Sequence, residues 1–381
     1  MNRSDQDRNA YMLCGPLARK GYLRWWHSFV GIHAATGKRR TFFLEYLILN
    51  PVPQKKIKAK LSRPSYVRVS AGAFPTDTDA GINLCAYYPV SACKYAAKPL
   101  YFQVGENFLS ENRLTGFVDV TEKESEQDLL PSDIGTMEWD LEVHKTLACH
   151  TGIIASPLFC ALNALDSFWH GEGIRTEYRG IIDCNGESYE VLPETCFGYA
   201  DKHWGSTYNS PWLLLSSCRL YSERTGKLLK HSAFALDGCV PRFLCFRFRP
   251  TLLLQLTYTG EDFCYSFARP FRRTRIKWST KESRTKVAWQ VKAQNKDSLL
   301  KLKLFCPKSN LMRMHYDDPA AVIGKSSVHN LRAGGNARGT IDLYRLTPEG
   351  KEWIDTLTIQ DALCEYQKSR KKENGKNDLG Y

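Results

Sequence analysis

Hydrophobic and polar positions alternate with period two over much of this chain. Leu300, Leu302 and Leu304 alternate with Lys301 and Lys303. Val287, Trp289 and Val291 alternate with Ala288, Gln290 and Lys292, and Phe246 and Phe248 with Arg247 and Arg249. Successive strand side chains point to opposite faces, so each run predicts a strand with one buried and one wet face. Turn signals separate the runs: Thr36-Gly37, Asn185-Gly186, Thr225-Gly226, Thr259-Gly260 and Pro348-Glu349-Gly350. Glycine supplies the positive φ that tight hairpins need. Strands at such intervals predict an all-β chain of barrel or sandwich type. One short C-terminal helix is expected over Thr358–Lys372. Thr358 would be its N-cap with Asp361 three residues on, and Ile359, Leu363 and Tyr366 would share a face. Val52–Pro64 and Glu122–Ser132 read as loops, one basic and one acidic.

A length of 381 residues suggests two domains at ~100–200 residues each, or one large β domain. A weak internal echo points to the former. Trp25-Trp26-His27 is followed by the turn Thr36-Gly37 and the strand Phe42–Leu49; Pro211-Trp212 is followed by Thr225-Gly226 and the strand Lys230–Leu236. The expected division is a segment 1–15, a β domain 16–168, a second β domain 169–365 and a basic, disordered tail 366–381. The apolar segment Ile153–Leu165 before the boundary is broken by Ser156, Pro157 and Asn163. It falls short of the ~18 residues of a spanning helix. The first residues are polar and charged, without the apolar core of a signal peptide. A soluble, cytoplasmic protein is expected.

Composition narrows the class. With 43% hydrophobic and 24% charged residues, disorder, collagen and coiled coil are excluded as descriptions of the whole chain. The 13 cysteines are irregularly spaced and form no CxxC pair, which argues against a zinc site and for reduced, mostly buried thiols. The 53 basic residues exceed the 40 acidic ones by 13. Much of the excess sits in Lys55–Arg63, Arg269–Lys286 and the tail Lys368–Lys376. Such runs are mostly solvated faces and loops. Arg269–Lys286 is also expected to make peripheral contact with an anionic membrane. No RRM, zinc-finger or KH signature is present, so no nucleic-acid partner is expected. A phosphate-binding glycine loop and a Gly-x-Ser-x-Gly elbow are absent as well, and neither an organic cofactor nor a metal is expected.

The stretch Trp169–Trp212 carries the candidate chemistry. Asp201 and His203 lie two apart within Tyr199-Ala200-Asp201-Lys202-His203-Trp204, so a strand would present them on one face with Lys202 on the other. A carboxylate beside an imidazole is an acid–base pair, and burial would raise the carboxyl pKa. A structural ion pair is the competing reading. His170 stands in Trp169-His170-Gly171-Glu172-Gly173, and Glu45 is an acid inside the apolar strand Phe42–Leu49.

Gly198-Tyr199-Ala200-Asp201-Lys202-His203-Trp204-Gly205, followed by Pro211-Trp212, resembles a segment of the tocopherol cyclase family. That family belongs with lipocalin-like carotenoid hydratases and related β-barrel cyclases. Gly21–Trp26, Tyr101–Asp119 and Gly334–Gly339 are also similar to family segments, in the same order along the chain. Asp201 and His203 stand where plant members usually have Glu and Asn. The resemblance implies two lipocalin-like β halves around an apolar cavity. It also implies cofactor-independent cyclisation of a prenylated quinol: an acid protonates an alkene, and a phenol oxygen captures the cation. Asp201 and His203 would be catalytic, with Trp26, Trp204, Trp212, Tyr199 and His170 against the substrate. The alternatives are a non-catalytic carrier of an apolar isoprenoid or polyketide, and a hydratase or pericyclase of the same fold.

Overall fold

Twelve strands of the first half form one sheet. They are β1 (Tyr22–His33), β2 (Arg39–Leu49), β3 (Tyr66–Ala73), β4 (Ile82–Tyr88), β5 (Lys94–Ala96), β6 (Tyr101–Val104), β7 (Asn107–Ser110), β8 (Arg113–Val120), β9 (Gly135–Leu147), β10 (Ser167–Cys184), β11 (Glu187–Val191) and β12 (Gly198–Gly205). The order is β4-β3-β2-β1-β11-β10-β9-β8-β7-β6-β5, with β12 bridging β1 and β10. The sheet curls until β4 approaches β8. The second half supplies β13 (Trp212–Ser217), β14 (Leu220–Ser222), β15 (Ala233–Cys239), the small pair β16 (Arg242–Phe243) and β17 (Phe246–Arg247), β18 (Thr251–Tyr258), β19 (Glu261–Tyr265), β20 (Arg275–Glu282), β21 (Lys286–Gln294), β22 (Ser298–Pro307), β23 (Met312–Asp317), β24 (Val328–Thr347) and β25 (Gly350–Gln367). Its main sheet runs β19-β18-β15-β13-β25-β24-β22-β21-β20, with β14 on β25 and β23 on β24.

This computed structural model describes residues 9, 11–52, 63–96, 99–126, 130–149, 167–208, 211–240, 242–243, 246–247, 249–266, 274–321 and 328–367. The segments Ile153–Leu165 and Lys368–Lys376, and most of Lys55–Arg63, lie outside them.

Among the described residues the chain is nearly all-β, as the alternation predicts, and its strands fall into two main sheets. The hairpin turns fall where expected. Asn185 and Gly186 (φ 53° and 82°) close β10 to β11, and Thr259 and Gly260 (φ 48° and 88°) close β18 to β19, the left-handed pair that two-residue hairpins require. The sheets change over between β12 and β13. The first sheet therefore takes in residues 167–205, beyond the expected boundary near 168. Glu122–Ser132 is not all loop. Glu122–Glu126 is a short helix, α2 in chain order after α1 (Pro16–Arg19), and Thr121 and Glu124 cap it reciprocally.

The expected helix at Thr358–Lys372 is absent, since residues up to Gln367 continue β25. The register between β24 and β25 slips near Gly335-Asn336 and again near Gln360-Asp361, where Asp361 has φ 47°. One extra residue in a strand reverses which parity faces inward. Leu357 and Ile359 face the second core before the bulge, and Ala362, Cys364 and Tyr366 after it. That offset reproduces helical spacing.

The first core is shared. Leu214, Leu253, Met314, Leu331, Ala333 and Leu363 of the second half pack into it. A Cβ on Gly335 would lie 2.6 Å from Thr41 Cγ2 and 2.7 Å from Phe74 Cδ2, so the bulge of β24 presses directly on the first half.

Candidate active site

Both faces of β12 are buried, and each holds a different polar group. Its register with β1 pairs Arg24 with His203, Trp26 with Asp201 and Ser28 with Tyr199. Its register with β10 pairs Trp169 with His203. These side chains share the face turned toward the second half. Lys202 and Trp204 share the concave face of the first sheet, where Trp25 meets Phe102 from β6.

On the seam face, Asp201 Oδ2 accepts hydrogen bonds from Tyr199 OH at 2.7 Å and Trp169 Nε1 at 3.1 Å. His203 Nε2 lies 3.2 Å from the same oxygen, but out of line for a hydrogen bond. Among the described residues, Asp201 Oδ1 and both His203 ring nitrogens have no hydrogen-bond partner, although both residues are fully buried. Groups of this kind either carry an energetic penalty or await a ligand. The His203 ring centroid lies 4.7 Å from that of Trp212. Burial, then the neighbouring Asp201, raises the Tyr199 phenol well above its usual range, so Tyr199 stays a donor.

Beside this pair, an ion quartet joins the two sheets. Arg24 Nε donates to Glu45 Oε2 at 2.7 Å, and its two terminal nitrogens donate to Glu365 at 2.6 and 3.2 Å. Arg68 donates to Glu45 Oε1 at 2.6 Å. Tyr316 OH completes Glu45 at 2.7 Å, and Trp212 Nε1 reaches Glu365 at 3.1 Å. Burial opposes the Glu45 charge, but Arg68, Arg24 and Tyr316 outweigh it and hold the carboxyl below its usual range. The Arg24 guanidinium also sits 4.3 Å over the Trp26 ring, which stacks on Phe43.

Asp237 of β15 is a fourth buried acid at the seam. Glu365, Leu214, Asp237 and Leu253 stand in register across β25, β13, β15 and β18. Leu214 and Leu253 pack into the first core, so Asp237 faces the seam too. Burial, then the carboxylates of Asp201 and Glu365, push the Asp237 pKa well above its usual value, with Arg24 pulling the other way. Burial therefore favours the protonated form of Asp237 inside the seam.

The structure thus gathers five of the expected residues, Tyr199, Asp201, His203, Trp26 and Trp212, at one seam. Trp204 and His170 point the other way. Trp204 stacks on Phe168 with Lys202 4.8 Å over its ring, and His170 is in register with Lys202. Sequence reasoning missed Arg24, Arg68, Asp237 and Glu365. The last lay inside the expected helix. Glu45, the acid inside an apolar strand, is buried at the centre of the quartet. A cleft of about 840 Å³ lies elsewhere, between His144, Arg175, Glu177 and Lys230 on the outside of β9 and β10. It contains none of the seam acids. Among the described residues no three His, Cys, Asp or Glu side chains converge as a metal site requires.

No protein-family model matches the chain, and no curated protein does. Among solved structures it is similar to kievitone hydratase from Nectria haematococca, at 13% identity and TM-score 0.46, over 94% of this chain and 93% of that one. It is also similar to CghA in complex with Sch210972, at 10% identity and TM-score 0.44, over 92% and 89% of the two chains. Neither likeness bears on the chemistry of the seam. The resemblance to tocopherol cyclases rests on sequence segments alone.

Proposed function

We propose that the chain is an acid–base enzyme that rearranges an apolar, alkene-bearing substrate at the seam between its halves. The observation that carries this reading is the placing of two buried acids on the seam: Asp201, whose Oδ1 is unpartnered, and Asp237, whose protonated form burial favours. A carboxyl that burial favours in its protonated form can serve as the acid, and a second polar group on the same face can take the proton back. In the finer form, the substrate is a prenylated quinol. A carboxyl proton passes to the alkene, the tertiary cation that forms is captured by the phenol oxygen, and the phenol proton leaves to Asp201 or His203. A chroman ring closes and the composition of the substrate is unchanged. Trp26 and Trp212 offer ring faces to the cation. Trp204 and His170 line the other face of the sheet, so a role for them against this substrate would need a second chamber.

The test is turnover in D2O with a prenylated hydroquinone. Cyclisation places one carbon-bound deuterium in an isomer of the substrate. A hydratase would add the elements of water together with that deuterium, a pericyclase would leave carbon unlabelled, and a carrier would return the ligand unchanged. Either of the last two results removes alkene protonation from the seam. Native mass spectrometry of the purified protein identifies the apolar ligand independently.

A further inference from the structure

The outer face of the second sheet carries charge that no reaction at the seam uses. Lys277, Lys292 and Lys301 stand directly opposite one another across β20, β21 and β22, with Asp342 of β24 next in the row. Lys303 lies one row on, beside Gln290. Arg275 and Lys281 extend the same face of β20. The opposite face of these strands is core: Val287, Trp289, Val291, Leu302 and Leu304. Like charges directly opposite each other destabilise a sheet, so folding alone does not favour three lysines in a row. Phe305, 40% exposed, and Trp353, 47% exposed, rise from the same surface.

We propose that this face docks the protein on an anionic lipid bilayer. Its aromatic rings argue against nucleic acid. Lys286 lies 5.2 Å over Phe305, and Lys301 and Lys351 lie 5.2 and 4.1 Å over Tyr344. Base stacking needs free ring faces, and here ammonium groups cover two of them. Lysine stems beside aromatic rings suit the headgroup level of a bilayer, where an apolar body and a charged tip both find partners. A shallow depression of about 390 Å³ between Lys277, Lys292, Lys301 and Lys303 has room for an anionic headgroup. Of the basic run expected to meet a membrane, 269–273 lie outside the described residues. Arg275, Lys277 and Lys281 belong to this face, which continues onto strands that the run does not include. The surface is independent of the reaction proposed above, because a carrier would use it equally.

The experiment is co-sedimentation of the full chain with phosphatidylcholine vesicles, with and without about one-third phosphatidylserine. Binding is expected only with phosphatidylserine and should weaken as salt shortens the screening length. Each basic residue at such a surface contributes about fivefold in affinity. The triple variant Lys277→Gln/Lys292→Gln/Lys301→Gln should therefore bind about a hundredfold more weakly. Its melting temperature should hold or rise, because opposed like charges are removed. Equal binding to neutral vesicles, undiminished binding by the folded triple variant, or tighter binding to a single-stranded oligonucleotide at the same salt would each overturn the proposal. None of these results touches the reading of the seam.

Discussion

Asp237 lies in Ala233-Phe234-Ala235-Leu236-Asp237-Gly238 of β15, where period two alone would put it on a wet face. The first half covers that face and buries it. Its folded pKa lies above the unfolded value of about 3.9. The native state then keeps a proton that the unfolded chain loses, so the stability this group contributes is complete below about pH 3.9 and is lost as pH rises through the folded pKa. Asp237→Asn should raise the urea midpoint at neutral pH, with the gain shrinking toward pH ~4. Glu45 runs the opposite way. Its pKa is lowered, so its stabilisation is present above about pH 4.3 and lost as pH falls through the folded value. Comparing parent and variant at each pH cancels that contribution. A difference that does not vary with pH would mean that Asp237 is not a buried proton store. The same variant should lose turnover by ~10²–10⁴-fold if the proton comes from Asp237. Asp201→Asn should lose a similar factor with little change in ligand affinity, and adding His203→Gln should cost far less than its separate effect. Full turnover in a folded Asp201→Asn protein would remove that residue from the mechanism.

Strands with one wet face were legible, and β21 and β22 follow the written alternation from Val287 to Lys292 and from Leu300 to Leu304. Strands buried on both sides were harder to read. In β12 the polar residues Asp201, Lys202 and His203 are as buried as Trp204, so polarity did not mark a solvent face. The two-residue spacing of Asp201 and His203 still put them correctly on one side. The end of β25 was misread because its bulge brings Ile359 and Tyr366, seven apart, to one face, while Leu363 turns to the first core, and that error hid Glu365. The bulge makes a sharp prediction. Asp361 adopts φ 47°, a conformation Asn also tolerates, and its ion pairs to Arg219 and Arg39 are partly exposed. Asp361→Asn should cost about 1 kcal/mol or less. Deleting Asp361 instead reverses the parity of residues 362–367. It turns Glu365 into the apolar core and Cys364 toward Arg24, and soluble folded protein should not be recovered. If the deletion variant melts like its parent, the bulge does not set the register.

At the scale of the molecule, the two sheets are held by a shared core and by the bond from Arg24 on β1 to Glu365 on β25. The charges in the quartet balance, two arginines against two glutamates, and each carboxylate oxygen accepts at least one hydrogen bond. A buried pair of this kind need not add net stability over an apolar replacement, but removing one partner leaves a charge without compensation. Glu365→Leu leaves Arg24 with only Glu45 and strips Trp212 Nε1 of its acceptor, so it should cost about 3–5 kcal/mol. Arg24→Met should cost a similar amount by stranding Glu365. In the double variant no charge is stranded between the sheets, and Glu45 still has Arg68 and Tyr316. Its cost should fall short of the sum of the single changes by about 0.5–3 kcal/mol. The denaturant slope decides what the pair does for the whole. If the latch couples the halves, the single variants should show a shallower or split transition as one half opens before the other, and the double variant should recover a single one. Strictly additive costs with one unchanged transition throughout would mean that the shared apolar core alone makes the halves unfold together.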